Sequence, residues 1–554
     1  MSLPVFSTQA ELFSTAGLSG GLFGPTDRFR LFALKVYPVL AGTRTKLEGA
    51  YCPDNGRVAL EPVLLLGVSV LQYLEGVPDR QAVELLHYHA GWNFALNRQL
   101  GDAGFHPTTL VNFRQRLVGH DLSRLGFEAV LEALVAVGLA ARQSRQRLDS
   151  TQMFGRISRM NRLDCVRESL RLALEELASR LTPAQRPAWW ASLWERYVES
   201  QADYRASLET LARKLGEAGT DAQQVLGWLA TTAAQEWAGG TQAQLLARVF
   251  GEQFEVVAAT GALQPKPKEQ LGTDRVFNPH DPDATYAVKG TGEHKKEHVG
   301  YKVQVAETVT EAVLAPGEPT GNFITGMVTQ TGRESDEEGA RKMAQEQREM
   351  GLDKPPVQYV DAAYISTQQL MEAAAEGREL IGPAPGAAVP EAPRFGTDHF
   401  DIQVEQRQAT CPAGQANSQC SRLEEQATGR VSYRFEWSTE TCTTCPLRQK
   451  CLKAEQPHRT LTVSEHHTVL QQRRREQKTE PFKQRMKHRN AIEGTQSELV
   501  RAHGLRRARY RGLPKVKLQN YFIGAACNIK RWLRRAAWEL QDHPTAPLSP
   551  AAAH

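Results

Sequence analysis

The chain has 554 residues and a net charge of only +5, and 41% of its residues are hydrophobic. This length predicts several domains, or one domain with large insertions, in an ordinary globular protein. The sequence contains no apolar run of about eighteen residues, and its start lacks a basic stretch followed by an apolar core, so neither a membrane span nor a secretory signal is predicted. We therefore expect an intracellular protein whose eight cysteines are thiols or metal ligands rather than disulfides.

The basic residues are concentrated near the C-terminus. Between residues 471 and 540, nineteen lysines and arginines oppose five acidic residues, so this segment carries +14 while the rest of the chain is net acidic. Such a concentration favours contact with a polyanion, nucleic acid first. The alternative is a solvated helical face, which is the commoner reason for a run of charge.

The first part of the chain has a helical pattern. Residues 1–25 include four glycines and are predicted to be flexible, whereas residues 26–142 have helical periodicity. The segment HPTTLVNFRQRL is a basic helix with Arg114 and Arg116 on its predicted exposed side. Short helices that end in a basic one fit a helix-turn-helix-like DNA-binding module. A plain helical bundle fits the pattern almost equally well.

A change of periodicity follows near residue 143. The segment RQRLDSTQMFG is predicted to be a strand that carries Asp149, although Asp-Ser-Thr is also good chemistry for a helix N-cap. Residues 155–257 are predicted to be a helical insertion, because leucine, alanine and tryptophan recur at a spacing typical of core packing. After residue 266, three segments alternate apolar and polar residues and predict an antiparallel meander, followed by a charged helix.

The segment PVQYVDAAYIS places Asp361 at the end of a short apolar run that leads into a helical pattern. This is a strand, a carboxylate and then a helix, and catalytic groups collect at such strand ends in open α/β sheets. Many aspartates in this position only cap the following helix. A further strand is predicted at Glu379–Ile381. The residues His280, Asp281, Asp283 and Lys302 are expected to lie in turns or on the surface.

Residues 383–460 begin with a linker rich in proline and alanine and then contain five cysteines. The spacing Cys442-x-x-Cys445 allows two thiolates to occupy two positions of a tetrahedral zinc site, as in a zinc ribbon or knuckle. Cys420 is left over as a spare, and reduced cysteines without a metal are the alternative. The four predicted ligands of a structural zinc ion are Cys411, Cys442, Cys445 and Cys451.

Three carboxylates form a candidate active site: Asp149, Asp361 and Glu493. Phosphoryl transfer on DNA without a covalent intermediate requires hard oxygen ligands for Mg²⁺. Two such ions, about 3.5–4 Å apart, can activate the attacking oxygen and stabilise the leaving one, and three carboxylates suffice if one of them bridges both ions. Arg489 and Glu493 are four residues apart on one helical face, which also fits an ordinary helix salt bridge.

Several segments resemble one known family. They are LDST at 148–151, HDPDATYAVKG and GYKVQVAET within 280–308, YVDAAYIS at 359–366, and RNAIEGTQSELVRAHGLRRARYRGLPKVKLQ at 489–519. They resemble the insertion-sequence DDE transposases, in the branch with a cysteine-bearing insertion before the Glu helix, over about residues 30–535. The family's glutamate signature, an arginine and a glutamate separated by three residues, corresponds to Arg489 and Glu493. The signature also has a tyrosine before the arginine and a lysine after the glutamate. Here these two positions are Met486 and Val500, and Arg501 follows Val500.

The resemblance implies an α/β fold: a ribonuclease-H-like mixed sheet with helices, interrupted by a helical and a cysteine-bearing insertion and preceded by an all-helical domain. The implied boundaries are a flexible N-terminus at 1–25, a helical DNA-binding domain at 26–142, a catalytic domain at 143–540 with insertions at 155–257 and 383–460, and a disordered tail at 541–554.

The resemblance also implies the chemistry. Asp149, Asp361 and Glu493 would bind two Mg²⁺ ions, with Mn²⁺ as a substitute, for cleavage at the ends of the element and attack of the freed 3′-OH on target DNA. The implied partners are the terminal inverted repeats, target DNA and a second copy in a homodimer, in the bacterial cytoplasm on the nucleoid and without a membrane. The residues expected to contact DNA are Arg489, Arg501, Arg506, Arg507, Arg509, Tyr510, Arg511, Lys515, Lys517, Arg114 and Arg116.

Two alternatives remain open at this point. One is a nuclease on the same core that cleaves DNA but does not join strands. The other is a domesticated, non-catalytic DNA-binding protein, and three intact carboxylates count against it.

Overall fold

A computed structural model of the protein describes residues 2–4, 14–52, 55–99, 102, 104–200, 207–257, 261–289, 295–311, 314–385, 394–426 and 429–542. The architecture is mixed α/β, as predicted, with a six-stranded sheet that is surrounded by helices. In the part of the chain described here, no helix is both long and apolar enough to cross a membrane.

Helices make up the N-terminal region, as predicted. They are α1 Thr15–Ser19, α2 Arg28–Leu31, α3 Tyr37–Ala41, α4 Arg44–Glu48, α5 Pro62–Glu75, α6 Asp79–Tyr88, α7 Ala90–Ala95, α8 Thr108–Gly119 and α9 Leu125–Ala136. Helix α5 is buried on most of its sides because its sequence is almost wholly apolar. Helix α1 lies within the segment predicted to be flexible, and Thr15 is fully buried, so folded structure begins before residue 25.

A strand, five helices and a short hairpin follow. They comprise β1 Gln146–Phe154, α10 Arg162–Ala178, α11 Trp190–Trp194, α12 Leu208–Leu229, α13 Gln235–Ala238, α14 Thr241–Gln253, β2 Phe254–Val256 and β3 Leu263–Pro265. Helices α10 to α14 enclose a hydrophobic core of their own. Trp228 and Trp237 stack with ring centroids 5.7 Å apart, so these tryptophans serve packing. The β2–β3 hairpin was not predicted.

The central sheet is completed by the next elements: β4 Thr285–Lys289, β5 Lys296–Thr308, β6 Ile324–Thr331, α15 Asp336–Glu349, β7 Val357–Tyr359, α16 Thr367–Ala375 and β8 Glu379–Ile381. Strand β5 runs antiparallel to β1, β4 and β6, which confirms the predicted antiparallel pairing. The order is not that of a meander, because β4 and β6 pair with successive parts of one edge of β5 and β1 occupies the other edge. Strands β7 and β8 continue the sheet on the other side of β1 and run parallel to it. Strand β1 is therefore central and has neighbours on both edges.

The cysteine-bearing region and the C-terminal helices complete the fold. The elements are β9 Asp401–Gln403, β10 Gln408–Thr410, β11 Gln419–Glu425, β12 Arg430–Glu436, α17 Thr439–Thr443, α18 Arg448–Cys451, β13 Thr460–Ser464, α19 His467–Glu476, α20 Glu480–Asn490, α21 Ile492–His503 and α22 Leu513–Asp542. Most of the tail predicted to be disordered, residues 543–554, lies outside the described residues.

Helix α22 joins the N-terminal helices to the sheet. Tyr521 and Phe522 on this helix are buried against α5 and α9, while Asn520 and Asn528 bond to Thr329 and Ile324 of strand β6. The N-terminal helices, α22 and one face of the sheet share a single hydrophobic core. Burial of each large apolar side chain there contributes about 1.5–3 kcal/mol, so the N-terminal helices are held firmly on the sheet.

Candidate active site

Strand β1 positions Asp149 because side chains alternate between the two faces of a strand. Leu148 points into the core and is fully buried, and Asp149 therefore points to the opposite face. The side chain of Asp149 is 11% exposed, and its Oδ1 accepts a hydrogen bond from the backbone N–H of Ser150 at 2.8 Å. The predicted strand is confirmed, and the N-cap alternative for Asp149 is excluded.

Asp361 lies next to Asp149 because strands β1 and β7 are parallel and in register. Arg147 pairs with Tyr359, so residues two positions further along each strand stand side by side. The Asp361 Oδ1 accepts the N–H of Ala363 at 2.8 Å and caps a short 3-10 turn at Ala362–Tyr364. The other oxygen stays available, so Asp361 both caps the turn and contributes to the site.

Glu493 comes from the first turn of α21, just beyond the break between α20 and α21 at Ala491. Arg489, in the last turn of α20, joins all three carboxylates. Its Nη2 lies 3.0 Å from the Asp149 Oδ2 and 3.8 Å from the Asp361 Oδ2, and its Nη1 lies 3.9 Å from the Glu493 Oε1. One guanidinium thus contacts the whole predicted triad.

The cluster has the composition of a divalent-cation site. Three carboxylates surround one guanidinium, so the cluster carries an excess of negative charge, and every ligand atom is a hard oxygen, as Mg²⁺ prefers. The Asp149 and Asp361 oxygens both lie within 3.8 Å of the same nitrogen, so the distance between them is no greater than the sum of those two distances. The Glu493 side chain is 73% exposed and opens the cluster to solvent.

A second group of ligating side chains has a different character. Among the described residues, the three with ligand atoms all within 4.8 Å of one another are Glu498, His503 and Cys527. The carboxylate of Glu498 already pairs with Lys530 at 3.0 Å and Arg531 at 2.9 Å. Burial opposes ionisation of Glu498, but these two cations outweigh it and lower its pKa to about 2. We therefore interpret this group as an ion-pair network.

Sequence reasoning missed a pair of aspartates that hold the basic loop before α22. Asp281 is fully buried and accepts hydrogen bonds from the Tyr301 hydroxyl and from the N–H of Gly512 at 3.1 Å. Asp283 accepts the N–H of Leu513 at 2.8 Å. Together they satisfy the free N–H groups at the start of α22. Asp281 therefore lies in a turn, as predicted, but it is buried and structural instead of exposed, and Lys302 is buried within strand β5.

Part of the predicted DNA-contacting segment lies on the surface beside β1. The backbone of Phe154 exchanges hydrogen bonds with Arg506 and Ala508, at 2.9 and 2.8 Å, and so extends the sheet at the end of β1. Lys517 is partly engaged by Glu346 at 3.1 Å. The residues whose side chains are exposed are Arg501, Arg506, Arg507, Arg511 and Lys515.

Other predicted DNA contacts point inward. The guanidinium of Arg509 stacks on the Tyr73 ring, and the Tyr510 hydroxyl lies 3.2 Å from that of Tyr73. Arg114 is buried against Asp79 and the Tyr510 ring, so its predicted exposure was wrong: the α8 face that carries it packs on the rest of the protein. The neighbouring Arg116 donates to the Ala50 carbonyl and stacks on Tyr51.

Three of the four predicted zinc ligands, and also Cys420, lie at one small hydrophobic core. Cys442 is buried, and Cys411 and Cys451 pack against the same apolar cluster. Burial raises the pKa of Cys451, and the nearby thiols of Cys442, Cys411 and Cys445 act in the same direction, while Arg459 acts against them. Among the described residues, no three of these sulfurs lie within 4.8 Å of one another.

Comparison with known families identifies two parts of the chain. The model of a Transposase DDE domain matches residues 410–533, which include Arg489, Glu493 and the basic segment that follows. The model of a Transposase domain (DUF772) matches residues 26–116, from α2 into α8. No curated protein and no solved structure matches the chain. The first match contains the part of the site that carries Arg489 and Glu493, and over these two ranges the chain is similar to DDE transposases.

Proposed function

We propose that this transposase binds the terminal inverted repeats of its insertion sequence, cleaves DNA strands there, and transfers the freed 3′ ends to target DNA by two-metal-ion chemistry. The observation that carries the proposal is the convergence of Asp149, Asp361 and Glu493 on Arg489. Three acids that come from distant parts of the chain meet around Arg489, over the central strand β1 and just beyond the end of β7. An ordinary helix salt bridge would need only Arg489 and Glu493.

A ribonuclease-H-like core is part of the proposal. Apart from β4, the strands follow the spatial order β6, β5, β1, β7, β8, in which the first three are antiparallel and the last two are parallel to β1. Helices α15 and α16 supply the crossovers before β7 and β8. This order, with one acid in the first strand and another just after β7, supports the assignment.

In the proposed mechanism, two bound Mg²⁺ ions would activate the attacking oxygen and stabilise the leaving one. Asp149 and Asp361 are held by the sheet, whereas the exposed Glu493 can adjust its position. Arg489 is the donor that can turn from the carboxylates to an oxygen of the scissile phosphate, since guanidinium groups bind phosphates through paired hydrogen bonds.

The proposed DNA path runs over the exposed basic residues beside β1, where Arg506, Arg507, Arg511 and Lys515 would contact backbone phosphates. The Asp281–Asp283 pair would keep this loop in a fixed position relative to Asp149. Because each molecule has one cluster of acids and an element has two ends, we propose that a homodimer assembles on DNA.

The direct test of this function is cleavage of the element's own ends. A plasmid carrying the coding sequence with its flanking DNA is incubated with the purified protein and Mg²⁺. We expect strand breaks with free 3′-OH ends at defined positions on both sides of the gene. Cleavage that continues in excess EDTA, or that shows no preferred positions, would contradict the proposal.

We further propose that Cys411, Cys442, Cys445 and Cys451 hold a structural zinc ion. Cys442 and Cys451 lie in the short helices α17 and α18, Cys445 lies between them, and Cys411, Cys442 and Cys451 pack on one hydrophobic core. Structural zinc sites with four thiolates supply folding energy directly to such regions.

The zinc proposal predicts one zinc ion per chain in the purified protein. Cys445→Ser should lose the ion and lower the melting temperature, because bound zinc contributes on the order of 10 kcal/mol to the folding of small zinc domains. Cys420→Ser serves as the matched control and should retain zinc, since Cys420 lies in the β11–β12 ladder. The zinc content is measured by atomic absorption; equal loss of zinc in both variants would refute the ligand set.

A further inference from the structure

A fully buried carboxylate, that of Glu307, lies beneath the candidate active site. Glu307 is on β5 and stands opposite Arg147 of β1. We propose that Glu307 is a positioning residue that holds the catalytic corner, residues 488–495, against the strand that carries Asp149. The inference rests on the proposed metal-binding role of the three acids and adds a residue that sets their relative position.

The first contact joins Glu307 to strand β1. The Arg147 guanidinium donates two hydrogen bonds to the Glu307 Oε2, from Nε at 2.6 Å and from Nη2 at 2.5 Å. Arg147 and Asp149 are two residues apart in the strand and therefore point to the same face of the sheet. The carboxylate of Glu307 is thus fixed relative to the first acid of the triad.

Further contacts join the same carboxylate to the catalytic corner. The Thr495 hydroxyl donates to the Glu307 Oε1 at 2.6 Å, and Arg147 donates from Nη1 to the His488 carbonyl at 3.1 Å. These two bonds lie at the two ends of the corner. Arg489 and Glu493 lie between them, so the segment that bears both groups is tied to the sheet on either side.

Arg531 of α22 completes the network. It pairs with the Glu307 Oε1 and also donates to the Thr495 hydroxyl at 2.9 Å. Both oxygens of Glu307 are therefore used, one by Arg147 and the other by Arg531 and Thr495. A neutral apolar residue could fill the same volume, but it could not accept these bonds: Arg147 would lose its carboxylate partner, and Arg531 would keep only Glu498.

The geometry explains why a buried charge is found here. A buried ion pair contributes little to stability, because desolvation offsets much of the attraction, but its directional hydrogen bonds define one arrangement of the surrounding elements. The Arg489 to Asp149 bond also links the corner to β1, yet it must loosen when Arg489 moves to a phosphate. The bonds to Glu307 do not involve the reacting groups and can persist through the reaction.

The test compares two substitutions, each of which removes a buried hydroxyl group that donates a hydrogen bond to a carboxylate. Thr495→Val removes the bond to Glu307, while Tyr521→Phe removes a bond to Glu346 on α15, away from the catalytic corner. Mn²⁺ binding is measured on DNA-free protein by electron paramagnetic resonance, together with thermal unfolding. We expect both variants to stay folded, and Thr495→Val to bind Mn²⁺ about ten-fold more weakly, as is typical when a supporting contact of a metal site is lost.

The outcomes separate this inference from the proposed function. If Thr495→Val and Tyr521→Phe bind Mn²⁺ equally well, Glu307 does not position the acids and the inference is wrong. This result would leave the proposed metal site itself unaffected. If the wild type does not bind Mn²⁺, or binds it equally well after Asp361→Asn, the proposed function fails as well. Glu307→Gln should weaken Mn²⁺ binding more than Thr495→Val does. If Glu307→Gln does not fold, the comparison of Thr495→Val with Tyr521→Phe still tests the inference.

Discussion

Replacing Asp361 with asparagine is expected to abolish DNA strand cleavage while the protein stays folded. The substitution removes one anionic oxygen ligand, and the charge stabilisation that a metal ion gives the transition state amounts to several kcal/mol. A loss of about 4 kcal/mol corresponds to a rate about 10³-fold lower. Asparagine caps a turn as well as aspartate does, so the bond to the N–H of Ala363 persists. The measurement is the rate of end cleavage in Mg²⁺.

The control for Asp361→Asn is Ser366→Ala. Ser366 caps the next helix, α16, and accepts the N–H of Gln369 at 3.2 Å. Its loss should cost about 1 kcal/mol of stability but should leave the cleavage rate within a few-fold of the wild type. Full cleavage activity in Asp361→Asn would remove Asp361 from the triad, whatever the control shows.

Replacing Arg489 with glutamine is expected to change metal binding and catalysis in opposite directions. The guanidinium lies among the three carboxylates and repels any cation that enters the cluster. At 4 Å and an effective dielectric constant of about 20, one unit charge contributes about 4 kcal/mol, and solvent near Glu493 reduces this effect. We therefore expect Mn²⁺ to bind about ten-fold more tightly to DNA-free Arg489→Gln. Cleavage should fall by about 10²-fold or more, because a donor to the transition state is lost.

Arg485→Gln is the matched control for Arg489→Gln. Arg485 lies one turn earlier on α20, carries the same charge and pairs with Glu379 at the exposed edge of the sheet. This variant should keep both the Mn²⁺ affinity and the cleavage rate of the wild type. Weaker Mn²⁺ binding by Arg489→Gln would mean that Arg489 organises the carboxylates instead of competing with cations.

The acids of the site could be predicted from short stretches of sequence. The strand that carries Asp149 and the strand that precedes Asp361 both leave a local pattern of β-forming residues next to a carboxylate. Glu493 follows Arg489 by one helical turn, and that spacing is visible without a structure. Such local patterns determine secondary structure, so the three acids could be predicted from the sequence.

The supporting residues could not be predicted in the same way. Glu307 pairs with Arg147 across 160 residues and with Thr495 across 188, and nothing in the local sequence around any of them indicates its partner. The same holds for Arg114, which was predicted to be exposed, and for Tyr510, which was expected to contact DNA: their side chains meet where α8 packs against the basic loop. Burial of a charged side chain depends on the tertiary partner that neutralises it, and that partner is set by the fold.

The central claim is that the three acids catalyse joining as well as cleavage of DNA. The most direct measurement supplies a synthetic end of the element that already carries a free 3′-OH, together with a target plasmid and Mg²⁺, and detects the end covalently joined to the plasmid. The account predicts joined product with the wild type and none with Asp361→Asn. Nicked or cut plasmid without any joined end would contradict it and would indicate a nuclease on the same core.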